Sequence, residues 1–484
     1  MANYAYERLS AHDASFLVFE SPNTHMHISW AWIFDPGSLV DAEGGVDIDK
    51  IRRHVAARLF RFPRFRQRIG YTPLEQHPVW IDDENFKLHF HVRHASLPDP
   101  GEERRLQATV SSIVSQPLDR SKPLWEMWIV EGLQGGRFAI VTKTHHCMVD
   151  GVSTVDLMTG LLDREPQPEP DDAVEWLPRP APSAVERWRD SFVDRIGLAA
   201  TLLRRLADDA HDLRGASREE LTQRWASWRD TLSASVSGAP ATPINRPPGP
   251  HRFVTWLRLE RAEVRAVGER LGGSDDDVVL AIVAGALWRL FRRQGFRLQR
   301  QSFRVVVPAT RLPDADPGTL HNRAAGWIVP LPVDEADARR RFRAVAKTTS
   351  ALTEANQTLG LERLLQAAEI GGSFLLHAGI GVSRRLHPYN LIISRIPGPS
   401  EPRYLLDAPL REAYPQVPLF ENQSLGIAAA TYLDHLDIGI TADWEVLPDL
   451  GPFVADLHES FAELRVLHPQ KKGQGPRGKR HRPQ

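Results

Sequence analysis

Apolar residues recur along this chain with two different periods, and the period changes from one stretch to the next. Alternation with a period of two, or a short unbroken apolar run, predicts strands over His27 to Phe34, Val79 to Asp82, Phe86 to His94 and Trp125 to Glu131. A further strand, Arg137 to Thr144, follows the Gln134-Gly135-Gly136 turn and pairs naturally with the one before it. Helical spacing appears at Ile48 to Phe60, where Ile51, Val55 and Leu59 share a face, and at Leu106 to Val114. The second half repeats the mixture. Strands are predicted at Val254 to Leu259, Phe303 to Pro308, Trp327 to Pro332 and Tyr389 to Ile396, with a hairpin of Leu425 to Leu433 and Leu436 to Ala442 around Asp434-His435. Helices are predicted at Ala262 to Leu271, Asp276 to Arg293, Glu335 to Thr349, Leu361 to about Ala378, and Val454 to Leu467. The fold class is mixed α/β (α+β).

Composition divides the chain. Glu165 to Asp172 and Pro178 to Pro182 are acidic and proline-rich, and Pro240, Pro243, Pro247, Pro248 and Pro250 close the same region. Between them Trp188, Phe192, Ile196, Leu203 and Leu206 form one apolar stripe of an amphipathic helix, with Trp225 and Trp228 beyond it. The expected organisation is therefore a first domain over 1–164, a crossover over 165–250, a second domain over 251–468 and a basic, glycine-rich, disordered tail over 469–484. A chain of 484 residues is too long for one ordinary core and suits two of about 200 residues each.

Charge and cysteine content remove several function classes. Lys plus Arg number 60 against 61 Asp plus Glu, so no electrostatic footprint for nucleic acid exists. A single cysteine, Cys147, excludes an internal disulfide and fits a reducing compartment; it reads as a small buried hydrophobe before a nucleophile. The first residues lack a basic and apolar leader, and no apolar run reaches about eighteen residues. A cytoplasmic protein is expected. The amphipathic crossover helix and the basic tail are the places where it would touch a membrane or lipid droplet, although a helix packed on its own domain explains the stripe equally well.

The chemistry concentrates in His145-His146-Cys147-Met148-Val149-Asp150-Gly151, at the end of a predicted strand and ahead of an apolar helical stretch. Side chains alternate across a strand, so His145 and His146 point apart and one imidazole is the candidate base while the other is scaffold. His146 is assigned the proton transfer, because imidazole titrates near neutrality and can take a proton from an attacking hydroxyl. Asp150 suits holding the turn, through backbone N–H groups or an arginine such as Arg311, and Gly151 permits a tight turn. A metal reading fails, since adjacent strand residues diverge from any one ion, and no metal site is expected. His89, His91 and His94 alternate with Leu88, Phe90 and Val92 and read as the wet face of a strand. The basic, aromatic Arg61 to Arg68 reads as a solvated helix end before a phosphate site.

His145-His146-x-x-x-Asp150-Gly151 resembles the HHxxxDG motif of the coenzyme A-dependent acyltransferase superfamily, which includes chloramphenicol acetyltransferases and peptide-synthetase condensation domains. Other segments are similar to one group within it, the bacterial wax ester synthase/diacylglycerol acyltransferases. These are Leu9 to Leu17 with His25-Met26-His27, Pro123-Leu124-Trp125-Glu126 with Glu131-Gly132-Leu133, Asp276-Asp277-Val278-Val279-Leu280-Ala281, Asn322 to Pro332, and Ser394 to Pro399. They run in the family's order from about Leu9 to about Asp449.

The resemblance implies two chloramphenicol-acetyltransferase-like domains with a tunnel between them. It implies direct transfer of a long-chain acyl group from acyl-CoA to diacylglycerol or a fatty alcohol, with His146 as general base and no cofactor beyond acyl-CoA as substrate. It also places Pro123, Leu124, Trp125, Asp276, Asp277, Arg395, Pro397 and Gly398 at the substrate channel. Two other readings stay open, a condensation-type acyltransferase with a carrier-protein donor and a non-catalytic lipid-binding relative. Three positions depart from the family pattern: Asp276 and Arg395 each stand where it has Asn, and His25 where it has Pro. Asp276 and Arg395 pair with each other, or Arg395 serves Asp150.

Overall fold

The computed structural model describes residues 6–40, 45–73, 76–148, 158, 160–167, 169–172, 174–181, 238–298, 303–308, 326–355 and 387–468. Asp150, Gly151, Arg311, Asn322, the amphipathic stripe with Trp225 and Trp228, the expected helix after Leu361 and the basic tail lie outside the described residues.

The first half runs β1 (Tyr6–Arg8), α1 (Ala11–Phe19), β2 (His27–Phe34), α2 (Ile48–Arg58), β3 (Gln67–Tyr71), β4 (Pro78–Asp82), β5 (Val92–Ser96), α3 (Glu103–Ser115), β6 (Trp125–Glu131) and β7 (Phe138–His145). The second half runs β8 (Arg252–Glu260), α4 (Arg261–Leu271), α5 (Asp275–Arg293), β9 (Phe303–Pro308), β10 (Gly326–Leu331), α6 (Ala338–Ala355), β11 (Leu391–Ile396), β12 (Tyr404–Leu405), β13 (Ala408–Gln416), β14 (Leu425–Tyr432), β15 (His435–Asp443) and α7 (Gly451–Arg465). Each half is centred on a six-stranded sheet, ordered β12-β13-β2-β7-β6-β5 and β10-β9-β11-β14-β15-β8.

The unbroken apolar run of β2 follows from burial on both faces. Trp30, Trp32 and Phe34 join Phe138, Ile140, Trp125 and Met127 in one core, while Ala31, Ile33, Ala139 and Val141 face Leu106, Val110 and Ile113 of α3 in another. The turn between β6 and β7 holds Gly135 and Gly136 at φ 78° and 72°, a region glycine enters without penalty. In the second half α5 is buried along most of its length, from Asp277 to Leu287. Its start is closed by a capping box in which Ser274 and Asp277 each satisfy the other's backbone N–H.

Two expectations need correction. Phe86 to His94 is not one strand: Leu88 to Phe90 forms a 3-10 turn and the strand begins at Val92. The alternation is broken because His91 turns inward, stacked between Phe86 and Trp125 with its Nδ1 at 2.9 Å from the Trp125 carbonyl, which leaves Phe90 half exposed. The second is topological. β13 belongs to the second half of the chain by sequence, yet it pairs with β2, so the first sheet is completed by residues beyond 400. The cut at 251 therefore divides the sequence without dividing the sheets.

The halves interlock elsewhere. The edge of β8 that β15 leaves free is covered by α3: Val254 N–H donates to the Ser111 hydroxyl at 2.9 Å and Arg252 N–H to the Ser115 hydroxyl at 2.8 Å. Gly439 of β15 lies directly under β13, and a Cβ there would fall 1.6 Å from the Pro415 carbonyl oxygen. Since that neighbour is backbone and cannot swing aside, Gly439→Ala is expected to cost about 1–3 kcal/mol or more, measured as a loss of unfolding free energy in urea. Unchanged stability would mean that the two sheets do not meet there.

Candidate active site

The histidine pair is fixed first by backbone. At the end of β7 the chain leaves its ladder and turns through a 3-10 turn, His146–Met148. Two N–H groups must find acceptors there. His145 N–H donates to the Leu124 carbonyl at 2.9 Å and His146 N–H to the Met26 carbonyl at 2.7 Å. The Pro-Leu-Trp and His-Met-His segments are therefore the two clamps that hold the motif.

His145 opens β7's pairing with β2, opposite His27. Its side chain is buried, and Nδ1 accepts the Cys147 N–H at 3.1 Å, which leaves the proton on Nε2, 3.2 Å from Glu20 Oε1. Glu20 was not singled out in the sequence. Its carboxylate also accepts the Met26 N–H at 3.0 Å, takes two donors from Arg120 and lies 3.6 Å from His27 Nε2. Burial alone would raise its pKa, but the close approach of the His145 ring, with Arg120 and His27, holds it well below the usual carboxylate range. A lone Glu before a His-x-His segment carries no periodic signal, so only the fold reveals it.

Lys143 shares this face of β7, buried, with Nζ donating to the Ile113 and Gln116 carbonyls at 3.0 and 3.1 Å and standing 3.3 Å from Glu126. The α3 C-terminus, with its exposed carbonyls and negative dipole end, is a natural seat for that cation.

His146, already in the 3-10 turn, faces elsewhere. Its ring lies flat on Phe16 of α1, with centroids 3.7 Å apart and planes 13° apart, and Phe16 meets His12 edge-on at 5.0 Å. Desolvation, reinforced by repulsion from His12 and His145, pushes the His146 pKa down to about 3. The imidazole is thus neutral at physiological pH, the form that accepts a proton. Cys147 is buried and burial pushes its thiol well above the ordinary value, which argues against a thiolate nucleophile.

The remaining sequence candidates separate into two groups. Pro123, Leu124 and Trp125 are buried in the first core; the Trp125 indole donates to the Phe65 carbonyl at 2.8 Å and stacks on His91. Asp277 has both carboxylate oxygens occupied, one by Ser274 and the other by the Thr349 hydroxyl at 2.6 Å. Asp276 and Arg395 meet, Nε to Oδ1, at 2.7 Å. Pro397 is exposed, and Gly398 passes so close to Thr431 that a Cβ would lie 1.7 Å from its carbonyl oxygen. Among the described residues no group of three or more His, Cys, Asp or Glu has the arrangement of a metal site.

Glu20→Gln should keep the volume while removing the charge that binds Arg120 and His145. A loss of about 1–3 kcal/mol in stability is expected, the size seen when a buried donor such as the His145 ring loses its charged acceptor, together with a lower turnover. Equal stability of variant and parent in urea would show that Glu20 anchors nothing.

Stability should also track histidine burial. His27, His54, His91 and His146 all have pKa values pushed below 6.5 by desolvation. The unfolded chain takes up protons at these sites below about 6.5 and the folded chain does not, so stability is complete above that pH and declines as pH falls; for His146 the window runs from 6.5 to about 3. Urea midpoints at pH 7.5, 6 and 5 are expected to fall in that order, with a slope of up to about 1.4 kcal/mol per pH unit for each buried histidine. A midpoint independent of pH over this range would contradict the burial of these rings.

Comparison with known proteins places this geometry. Residues 9–279 match the wax ester synthase/diacylglycerol acyltransferase catalytic domain, and residues 320–465 match the C-terminal domain of the same family. A Mycobacterium tuberculosis protein named as a diacylglycerol O-acyltransferase is 30% identical over 474 residues, covering 95% of this chain and 90% of its own. A second from that organism is 30% identical over 464 residues, covering 95% and 96%. Among solved structures, the wax ester synthase/diacylglycerol acyltransferase of Marinobacter aquaeolei superposes with a TM-score of 0.67 at 24% identity, over 95% of this chain and 99% of that one. The starter condensation domain of rhizomide synthetase gives 0.56 at 12% identity, over 96% and 94%, a likeness of fold alone. A family match over most of the length, on a motif held by that family's own flanking segments, makes the chain a member of the wax ester synthase/diacylglycerol acyltransferase family.

Proposed function

We propose that this protein transfers a long-chain acyl group from acyl-CoA to the hydroxyl of diacylglycerol or a long-chain alcohol, with His146 as general base. The observation that carries the reading is a neutral, desolvated imidazole clamped at the end of β7 within a chain of this family. His146 removes the acceptor's hydroxyl proton as the oxygen attacks the thioester carbonyl. The new C–O bond forms, the C–S bond breaks, and the proton passes to the departing coenzyme A thiolate. Because the proton moves on within the same cycle, no long-lived imidazolium has to be held in a site that disfavours charge. His145 is the positioning residue of the pair, its ring fixed by Glu20 and the Cys147 N–H. Asp150 and Gly151 complete the turn in this reading.

Relatives named as diacylglycerol O-acyltransferases support the glyceride acceptor, and the Marinobacter structure's name supports both acceptors. No helix among the described residues is long and apolar enough to cross a membrane. Since both acceptors partition into lipid, the reading includes peripheral contact with a membrane or lipid-droplet surface from the cytoplasm.

The test is coenzyme A thiol release from palmitoyl-CoA with diacylglycerol, hexadecanol or no acceptor. Acceptor-dependent release is expected, and His146→Ala should lower it about a hundredfold or more while the variant's melting curve stays close to the parent's. Equal rates in variant and parent would remove His146 from the chemistry. Release only from an acylated carrier protein would move the chain to the condensation-type reading.

A further inference from the structure

The two histidines of the motif are held by different means. The His145 ring is pinned by polar groups, with the Cys147 N–H donating to Nδ1 and Glu20 beside Nε2. Among the described residues no other side chain hydrogen-bonds the His146 ring, which lies instead on Phe16, 3.7 Å between centroids and 13° between planes. Its Nδ1 is closed to solvent while the residue as a whole is only partly buried, which leaves the Nε2 edge to meet a substrate. A base needs its accepting lone pair free, so a hydrogen bond to that nitrogen would hold the ring but block its chemistry. An aromatic face fixes the plane of the ring and occupies neither nitrogen.

Phe16 is itself a firm platform. It is 7% exposed and packs in the first core with Cys147 and Met148. Helix α1 is capped by Ser10, whose hydroxyl accepts the Asp13 N–H at 3.1 Å, and the preceding Leu9 donates its N–H to the Pro78 carbonyl of β4 at 3.1 Å. His12, one turn earlier on the same face of α1, meets the Phe16 ring edge-on at 5.0 Å. Among the described residues the titratable groups that face His146 are His12 from α1 and His145 from β7, and each opposes a charge on it; Asp13, also on α1, acts on the Cys147 thiol. Desolvation opposes that charge more strongly than either, and Phe16 keeps water from one whole face of the ring.

We propose that Phe16 is a positioning residue for the general base: its ring holds the plane of the His146 imidazole and keeps water from one face, so that the base meets the acceptor hydroxyl already aimed. The inference rests on the acyltransferase reading for its kinetic readout and on packing alone for its titration readout.

Acceptor-dependent turnover of palmitoyl-CoA is measured from about pH 5.5 to about pH 8 in the parent, F16L and F16Y. Beside it, the His146 resonance is titrated in protein carrying Cε1-labelled histidine, the resonance being assigned by its loss in H146A. F16L keeps an apolar side chain and loses the flat face, F16Y keeps the face, and melting curves establish that both are folded. In F16L the kcat at neutral pH is expected to fall about tenfold with both KM values unchanged, the fold-change of one aromatic contact. It should fall further below about pH 6.5, because a hydrated imidazole regains its ordinary proton affinity, and the His146 titration should move up toward that value. F16Y should follow the parent in all three. A kcat and a titration in folded F16L equal to the parent's overturn the proposal, as does an F16Y that behaves like F16L. A fall in kcat of one size at every pH, with the titration unmoved, also overturns it and makes Phe16 filler of the core. A parent without acceptor-dependent turnover would overturn the acyltransferase reading instead, and the titration would still decide for or against the Phe16 platform.

Discussion

The end of β7 depends on one physical requirement: backbone N–H groups leaving a sheet must still be bonded. Leu124 and Met26 supply the two carbonyls, and each belongs to a segment whose other residues are locked in the first core. Glu20 then ties the same place together through side chains, joining the Met26 N–H, His145, His27 and Arg120 at one carboxylate. Three stretches distant in sequence, 20–27, 120–124 and 145–146, are thereby held to a common point. The orientation of His146 follows from this anchoring, because its backbone is clamped and its ring lies flat on Phe16. A base placed in this way needs little reorganisation when a substrate arrives.

The same economy governs the electrostatics. The buried cations Lys143 and Arg252 each have carbonyls or a carboxylate beside them, Lys143 at the α3 terminus and Glu126, Arg252 at the Gly249 and Asn23 carbonyls, and the exposed Arg120 reaches in to Glu20. The histidines are handled differently. Burial suppresses their protonation, so the interior carries imidazole as a neutral polar group that costs less to bury than an ion. Arg395 departs from the pattern, being covered and only partly bonded.

The two halves are not independent lobes. β13 completes the first sheet, Leu405, Leu410 and Tyr432 enter its core, and α3 supplies hydroxyls to the edge of β8. Either half alone would expose a strand edge and an unfilled face, an arrangement prone to mispairing. Relative placement of the two halves is thus built into shared sheets and does not rest on a linker.

Much of this was readable from residues alone. β2, β6 and β9 begin and end where alternation and composition place them, because their apolar, β-branched and aromatic residues carry a local signal. The capping box at the start of α5 is equally local, a Ser three residues ahead of an Asp. What the sequence could not supply lies at long range. His91 turns inward because Phe86 and Trp125 offer a stacking slot, Glu20 matters because three partners converge on it, and β13 changes sheets because β2 has a free edge. Asp276 and Arg395, 119 residues apart, were among several pairings the chain allowed, and packing chose one. Local periodicity is set by a residue's neighbours in the chain and can be read from them. A contact between distant segments is set by which surfaces remain unsatisfied once those elements have formed, and only the tertiary structure decides that.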